Sequence, residues 1–123
     1  MILFRDIKEL TLKISHSSSG YVVQRYIDNP LLVDGYKFDL RVYVAIVGTG
    51  IHGQPMHAFV ADEGLARFCT EKYKKPTKEN FKNDFMHLTN YSINKTSDNY
   101  IWEPEDVLAP NNGTKRTMTA LYK

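Results

Sequence analysis

The longest regular alternation of apolar and polar side chains lies between residues 37 and 47. Successive side chains of a β-strand point to opposite faces, so alternation at every second position is the period of a strand. The pattern therefore predicts one strand with an apolar face for the core and a charged face opposite to it. The predicted core face consists of Phe38, Leu40, Val42, Val44 and Ile46, and the charged face of Lys37, Asp39 and Arg41.

Other segments are typical of sheet structure. Residues 21–27 are rich in β-branched and aromatic side chains and are followed by Asp-Asn-Pro, which predicts a strand closed by a turn. The glycines and the proline of residues 48–55 predict a hairpin, with residues 56–61 as the antiparallel return. Residues 63–70 are interpreted as a short element after a glycine bend, and residues 85–93 as another strand.

Helices are predicted near both ends of the chain. Residues 1–14 place apolar side chains near helical spacing, and Thr114 is expected to cap a short helix whose body is residues 118–121. Residues 71–82 form a lysine-rich loop, and residues 94–112 are polar and interrupted by prolines. Together these elements predict an α+β fold, mainly an antiparallel sheet with short flanking helices.

The composition is that of a folded domain or part of one. The chain has 123 residues, of which 42% are hydrophobic and 24% charged, and this argues against a disordered tail. The net charge of +2 is too small to indicate nucleic-acid binding. Cys69 is the single cysteine, so an internal disulfide is impossible and a reducing, cytoplasmic setting is expected. Arg5 interrupts the apolar start too early for a signal peptide or a membrane span, so no membrane partner is expected.

The charged face of residues 37–47 allows two interpretations. Lys37, Asp39 and Arg41 can neutralise one another as a solvated surface ladder. They can also form an anion site, in which the cations hold phosphate oxygens while the carboxylate accepts from ribose hydroxyls or orients the cations. Spacing does not decide between these. Arg67 leaves a similar choice between an amphipathic surface residue and a buried clamp for carboxylate or phosphate.

Other polar segments also allow more than one interpretation. Residues 87–92 place hydroxyl and amide groups within an apolar run, which indicates either a turn or a segment that meets a ligand. The lysines of residues 71–82 either face solvent or attract an acidic partner. Cys69 is interpreted as a buried packing residue rather than a nucleophile. No metal site is predicted in this chain, since three histidines lack the spacing of metal ligands: His16, His52 and His57.

Five blocks of sequence occur in a specific order. They are Gln24-Arg25-Tyr26-Ile27, Asn29-Pro30-Leu31-Leu32, Gly35-Tyr36-Lys37-Phe38-Asp39-Leu40-Arg41, Glu63-Gly64-Leu65-Ala66-Arg67-Phe68 and Met86-His87-Leu88-Thr89-Asn90-Tyr91-Ser92-Ile93-Asn94-Lys95. Together they resemble the tubulin tyrosine ligase-like family over essentially the whole chain, and five blocks in register are far more specific than one. The third and fifth blocks look most like members that add amino acids to side chains of tubulin tails, rather than like tyrosine ligase itself.

The resemblance implies a partial ATP-grasp fold and roles for individual residues. The residues implied to bind ATP are Gln24, Arg25, Tyr26, Ile27, Lys37, Asp39, Thr89 and Asn90. Arg41 and Arg67 are implied to be catalytic, with Arg41 close to the transferred phosphate. The residues implied to contact the incoming amino acid are Arg67, Tyr91, Ser92 and Lys115.

The resemblance also implies a reaction, cofactors and partners. The expected enzyme uses ATP and magnesium to add free glutamate to glutamate side chains of tubulin through an acyl phosphate, in the cytoplasm, on microtubules or at a cilium or basal body. The family's phosphate-covering segment and its magnesium-binding Glu-Val-Asn motif do not occur in residues 1–123. The chain is therefore expected to be a central fragment, inactive alone. The alternatives are a non-catalytic truncated or pseudoenzyme module that binds nucleotide or tubulin tails, and a tubulin glycine ligase.

Overall fold

The computed structural model of the chain describes residues 2–14, 20–48, 50, 53, 55–102 and 112–122. Within these residues the elements are α1 (Ile7–Ile14), β1 (Leu32–Val33), β2 (Tyr36–Arg41), β3 (Val44–Val47), β4 (His57–Val60), β5 (Leu65–Lys72), α2 (Asp84–His87), α3 (Tyr91–Asn94), β6 (Lys115–Thr117) and α4 (Met118–Leu121). The strands form an antiparallel four-stranded sheet in the order β1-β2-β5-β6 and an antiparallel hairpin of β3 and β4. This architecture agrees with the predicted α+β class.

The core lies between the four-stranded sheet and helix α2. On β5, Ala66, Phe68 and Cys69 are all nearly inaccessible to solvent, and Met86 of α2 is buried as well. Phe68 lies opposite Phe38 of β2, and the two rings stack with 5.5 Å between their centroids. Burial of such apolar side chains is the main stabilising contribution in a small domain. Strand β5 is therefore the centre of the fold.

Strand β5 confirms the predicted short element after a glycine bend. A Cβ atom at Gly64 would lie 2.5 Å from the main-chain oxygen of Arg41 and 2.6 Å from the sulfur of Met118. The main-chain nitrogen of Met118 also donates to the oxygen of Gly64 at 3.0 Å. A glycine is thus required where β2, β5 and α4 approach one another.

The single strand predicted over residues 37–47 is wrong in its continuity. Strand β2 ends at Arg41, opposite Leu65 at the start of β5, and β3 begins at Val44 in the other sheet. The predicted core face is also wrong beyond Phe38, because Leu40, Val42, Val44 and Ile46 are all between 41% and 65% exposed. The alternation was real, but a strand buries its apolar face only where another layer covers it. Pairing of β2 with β5 ends at Arg41, and the exposure of Leu40, opposite Ala66, shows that the cover of this face ends before the pairing does.

The predicted hairpin is confirmed. Strands β3 and β4 pair antiparallel from Val44 opposite Val60 to Val47 opposite His57. Gly48 follows β3 with a φ of 86°, and a Cβ there would collide with the main-chain oxygen of Pro55. Both conditions favour glycine at this turn.

The strand predicted over residues 21–27 is wrong. These residues are described by the structure, and none of them belongs to a strand. Strand β1 occupies the edge of β2 through pairs such as Leu32 with Lys37. Without a neighbouring strand in the described sheet, β-branched and aromatic composition does not suffice to form one. The side chain of Tyr26 is instead held by contacts to Lys37 and His87.

The strand predicted over residues 85–93 is also wrong, because this segment forms the short helices α2 and α3. The main-chain nitrogens of Met86 and His87 donate to the oxygen of Asn83, at 3.2 Å each. The side-chain nitrogen of Asn94 donates to the oxygens of Leu88 and Asn90, at 2.6 and 3.1 Å. Local bonds from asparagine side chains and turns compete with a strand ladder. The segment is thus neither a strand nor a simple turn, and the interpretation that it meets a ligand stays a prediction.

The positions of the two predicted helices are confirmed, but the predicted N-cap of the second one is wrong. Helix α1 begins at Ile7, within the predicted residues 1–14. Helix α4 covers the predicted body, but its N-cap is Thr117, whose hydroxyl oxygen accepts from the nitrogen of Ala120 at 3.1 Å. The hydroxyl of Thr114 instead accepts from the nitrogen of Ile101 at 3.0 Å. Among the helices of the described ranges, none has the length and apolar character needed to cross a lipid bilayer.

Candidate functional site

A row of charged side chains crosses three strands of the four-stranded sheet. Asp39 of β2 is the register partner of Arg67 of β5, and Arg67 is the partner of Lys115 of β6. Side chains directly opposite one another on antiparallel strands project from the same face of the sheet. We call Asp39, Arg67 and Lys115 the charged row. The antiparallel register thus brings together residues that are far apart in the sequence.

The centre of the charged row is a two-point ion pair. Arg67 donates from Nε to Oδ1 of Asp39 at 2.8 Å and from Nη2 to Oδ2 at 2.7 Å. The hydroxyl of the buried Thr89 donates to the same Oδ2 at 2.8 Å. The hydrogen bonds to Asp39 raise the pKa of the Arg67 guanidinium, which stays charged. Two parallel bonds fix the plane of the guanidinium more firmly than one contact could.

Lys37 lies in a second polar group on the same strand. Its ammonium donates to the main-chain oxygen of His87 at 2.7 Å and to the hydroxyl of Tyr26 at 3.2 Å, and it lies 4.4 Å from the centroid of the Tyr26 ring. Burial lowers the pKa of Lys37. An ammonium has three N–H donors, so with two acceptors among the described residues one donor remains for a further acceptor. We call Lys37, Tyr26 and His87 the lysine cluster.

Arg41 extends the charged side of β2 to the end of the strand. Its side chain is exposed, and within the part of the chain that the structure describes it makes no hydrogen bond or ion pair. The surface-ladder interpretation of Lys37, Asp39 and Arg41 does not match this geometry. Asp39 pairs with Arg67 of another strand instead of its two neighbours on β2.

The residues around α3 divide into buried and exposed ones. Thr89 is buried against Asp39, and Asn90 precedes α3 with its main-chain oxygen accepting from the side chain of Asn94. Tyr91 is half-exposed and lies edge-on to Tyr100, while Ser92 is exposed. A small cavity of about 10 Å³ is lined by Arg67, Phe68, Thr89, Tyr91, Asn94, Tyr100, Thr114 and Lys115.

The structure therefore gathers some of the expected site residues and leaves others apart. The charged row with Thr89 and Tyr91 forms one group, and Lys37 with Tyr26 forms the other. Three residues of the first sequence block are exposed and lack hydrogen bonds or ion pairs in the described ranges: Gln24, Arg25 and Ile27.

Two buried polar residues of this site were not identified from the sequence. His87 and Asn94 are each 1% exposed. Asn94 Oδ1 accepts from both the nitrogen and the hydroxyl of Thr70, at 3.0 and 3.1 Å. The available signal was the polar run within apolar residues, because a buried polar group must find a partner. That signal located the segment but not its partners.

A larger cavity, of about 710 Å³, lies elsewhere in the described residues. Its lining includes Tyr36, Phe68 and Arg116 together with residues 98–101 and 112–114. None of the site residues expected from the sequence lines it. Size alone is weaker support for a site than convergent charges with fixed geometry, so we place the candidate site at the charged row and the lysine cluster.

The structure also bears on the predictions for Cys69 and for the histidines. Burial raises the pKa of Cys69 to about 12, so the thiol is a neutral packing group as predicted. His57 lies exposed on β4 and stacks on Phe59, whereas His16 and His52 lie outside the described residues. Nowhere in the described ranges do three His, Cys, Asp or Glu side chains gather as they would around a metal ion.

Comparison with known proteins gives a consistent group of relatives. The model of the tubulin-tyrosine ligase family matches residues 1–123. Human "Tubulin polyglutamylase TTLL11" is 40% identical over 97% of the chain, and Caenorhabditis elegans "Tubulin polyglutamylase ttll-11" is 44% identical over 89%. A "Probable beta-tubulin polyglutamylase" of Tetrahymena thermophila is 42% identical over 86% of the chain. The chain spans 16%, 15% and 8% of these three relatives, respectively.

Proposed function

Since the chain belongs to the tubulin-tyrosine ligase family, we propose that the whole protein is an ATP-dependent ligase that adds glutamate to glutamate side chains of tubulin. The relatives named as tubulin polyglutamylases support glutamate as the added amino acid and tubulin as the acceptor. The proposed fold is ATP-grasp, with which the antiparallel sheet and short helices are compatible. The observation that carries the proposal is the oriented Arg67–Asp39 ion pair on the same strand pair as the half-buried Lys37.

The chemistry of the proposed reaction requires cations near two anions. ATP supplies an activated phosphoryl group to the acceptor carboxylate, and the two reacting groups repel each other until their charges are neutralised. In our proposal Lys37 donates its remaining N–H to a phosphate oxygen, and the exposed Arg41 neutralises charge at the reacting end of β2. Positioning and charge stabilisation account for most of the catalysis in phosphoryl transfer.

The charged row is proposed to hold the incoming amino acid. Arg67 has five N–H donors and uses two of them on Asp39, so three remain for the carboxylate of glutamate. Lys115 and Tyr91 line the same small cavity as Arg67, and Ser92 follows Tyr91 on α3. In this arrangement Asp39 determines the plane in which the remaining donors of Arg67 point.

The other assignments are also part of the proposal. Gln24, Arg25, Tyr26 and Ile27 are proposed to line the nucleotide base, and Thr89 and Asn90 to lie at its other side. The described residues do not offer a set of carboxylates that fits magnesium. We therefore assign no step of the reaction to a metal held by this part of the chain.

Tubulin and microtubules are the proposed partners, and the cytoskeleton is the proposed location. Tubulin tails are acidic, and five lysines lie in or next to the loop after β5: Lys72, Lys74, Lys75, Lys78 and Lys82. Lys72, Lys74 and Lys75 are exposed, and only a long contact of 3.7 Å joins Lys75 to Asp28. Exposed cations of this kind accelerate association with an acidic partner in a salt-dependent manner.

The test is glutamate transfer by the whole protein. We expect incorporation of labelled glutamate into tubulin that requires ATP and magnesium and is absent with labelled glycine. Arg5→Ala provides the matched control for an Arg41→Ala variant, because Arg5 is exposed, lies over Phe81 and is not one of the proposed site residues. ATP binding without any transfer would instead support a non-catalytic module, and incorporation of glycine would support a glycine ligase.

A further inference from the structure

We propose that His87, as a neutral imidazole protonated on Nε2, is a positioning residue that orients the Tyr26 hydroxyl and through it the ammonium of Lys37. This inference rests on the proposed function, since it assigns Lys37 and Tyr26 to the nucleotide. In this proposal His87 belongs to the site but touches neither substrate, and it acts on the nucleotide only through Tyr26 and Lys37.

The position of His87 is determined on four sides. Its Nδ1 lies 3.2 Å from the hydroxyl of Tyr26, and its Nε2 lies 3.1 Å from the main-chain oxygen of Asn80. The rings of Tyr26 and Tyr73 both meet the imidazole edge-on, with 5.7 Å between centroids in each pair. The residue is 1% exposed and its main-chain oxygen accepts from Lys37 at 2.7 Å. Such an enclosed ring has little freedom to rotate.

The partners of the two ring nitrogens decide the tautomer. The main-chain oxygen of Asn80 can only accept, so Nε2 carries the hydrogen and donates. In a neutral ring Nδ1 then accepts. The Tyr26 hydroxyl has two possible acceptors, His87 Nδ1 at 3.2 Å and the hydroxyl oxygen of Tyr73, and our proposal assigns its hydrogen to His87. The lone pairs of the Tyr26 hydroxyl oxygen are thereby directed to Lys37, which donates to it at 3.2 Å. A chain of bonds thus runs from Asn80 through His87 and Tyr26 to Lys37.

The surroundings of His87 favour the neutral ring. The titratable groups near it are Lys37 on β2, Tyr26 and Tyr73 in the segments beside the sheet, and Asp84 on its own helix. Burial lowers the pKa of His87, and burial raises the pKa of Tyr26, so the tyrosine remains a donor. Cys69 of β5 also stays neutral. Lys37 is then the one positive charge in the lysine cluster.

A function follows from this chain of bonds. An ammonium at the end of a flexible side chain is a poorly directed donor, and its rotamer entropy opposes a fixed position. Two fixed acceptors, the oxygen of His87 and the hydroxyl of Tyr26, hold two of its donors and direct the third. The side chain of His87 controls the second acceptor. Its loss should therefore weaken nucleotide binding specifically, with little effect on glutamate.

The test compares two amide substitutions in the complete protein. His87→Asn keeps an acceptor near the position of Nδ1 and loses the distal donor, whereas His87→Gln keeps a donor near Nε2 and loses the proximal acceptor. We expect His87→Gln to raise the KM and the Kd for ATP about fivefold to tenfold, the size of one hydrogen bond. His87→Asn should stay within about twofold of wild type. The KM for glutamate should change in neither variant. The exposed His57→Gln is the matched control.

A second arm separates positioning from packing. Thermal unfolding of each variant reports any loss of stability, and Tyr26→Phe removes the hydroxyl between His87 and Lys37. We expect the double variant Tyr26→Phe/His87→Gln to bind ATP as tightly as the weaker-binding of the two single variants. Both substitutions break the same chain of bonds, so their effects should not add. Equal effects of the Asn and Gln variants on the Kd for ATP, or an additive loss in the double variant, would overturn the role of His87. If the wild-type protein binds ATP but transfers no glutamate, the proposed function fails, and the Kd values still decide the role of His87.

Discussion

The two sheets of this chain differ in what covers them. The four-stranded sheet has α2 and α3 against β5, and the central residues of β5 are buried. The hairpin of β3 and β4 has regular antiparallel pairing along four residue pairs, yet every residue of both strands is exposed. Both sheets therefore form main-chain ladders, while side-chain burial is achieved in one.

The difference shows where a site can be built. Two-stranded hairpins are marginal in water, because they have no second layer in which to bury side chains. A binding site needs side chains whose rotamers are held by packing and by further hydrogen bonds. The charged row spans β2, β5 and β6 of the sheet that has this support, and the lysine cluster joins Lys37 of β2 to His87 of α2 and to Tyr26. The hairpin offers apolar side chains on both faces but no comparable support.

The strongest test of this comparison replaces one phenylalanine in each sheet. Phe68→Ala removes a buried ring that stacks on Phe38 and lies under Arg116, whereas Phe59→Ala trims a ring that is 59% exposed on β4. We expect Phe68→Ala to lower the free energy of unfolding of this chain by about 3–5 kcal/mol. Phe59→Ala should lower it by about 0.5 kcal/mol. Chemical denaturation of the two variants measures both values.

Equal losses at the two positions would end the comparison, because they would mean that the hairpin is packed as tightly as the core. Measuring Phe68→Ala and Phe59→Ala in the complete protein as well sharpens the comparison of the two sheets. A large loss at Phe59 that occurs only there would identify the hairpin as a surface covered by the rest of the protein.

The next prediction concerns the point where the two sheets meet. Arg41 is the last residue of β2, and its exposed side chain has no internal partner in the described residues. We expect Arg41→Ala in the complete protein to reduce kcat for glutamate transfer by about 10³-fold, equivalent to about 4 kcal/mol of barrier. The unfolding temperature should change little, because the substitution removes no hydrogen bond or ion pair among the described residues. Turnover within a few-fold of that of Arg5→Ala would remove Arg41 from the reaction.

The sequence predicted the fold where local pattern and tertiary contact agree. Alternation around Phe38 and the apolar run of β5 have the period of strands and are buried as strands. The same alternation continues through Val44 and Ile46, where no layer covers it, so pattern alone could not show the change of sheet. Residues 21–27 have strand composition, but β1 and β5 occupy the two sides of β2, and which strand lies at an edge is a property of the assembled sheet.

The candidate site was predictable by residue type more than by geometry. The charges of β2 and Arg67 allowed an anion site, and the family motifs added Thr89 and Lys115. The pairing of Asp39 with Arg67 depends on the register of β2 and β5, which no local signal carries. The sequence did not assign His87 to the site because its partners, Tyr26 and Lys37, lie 61 and 50 residues away in the chain.

A smaller effect is expected at Arg67, the centre of the supported sheet. Arg67→Lys keeps the charge but cannot form the two-point bond to Asp39. We expect this variant to raise the KM for glutamate about tenfold to a hundredfold, while the KM for ATP changes less than about threefold. Steady-state kinetics with each substrate varied in turn separate the two constants. A larger change for ATP would move Arg67 to the nucleotide.

The smallest predicted effect is the dependence of stability on pH. His87 has a lowered pKa in the folded chain because it is buried, whereas in the unfolded chain it titrates near its ordinary value of about 6.5. Below that pH the unfolded chain binds a proton that the folded chain does not, so the free energy of unfolding must fall as the pH falls. One such group changes it by at most about 1.4 kcal/mol per pH unit. Denaturation of this chain between about pH 7.5 and pH 5 should show this decline in wild type and in His57→Gln, and a flatter profile in His87→Gln. An equally steep profile in His87→Gln would mean that another group binds the proton.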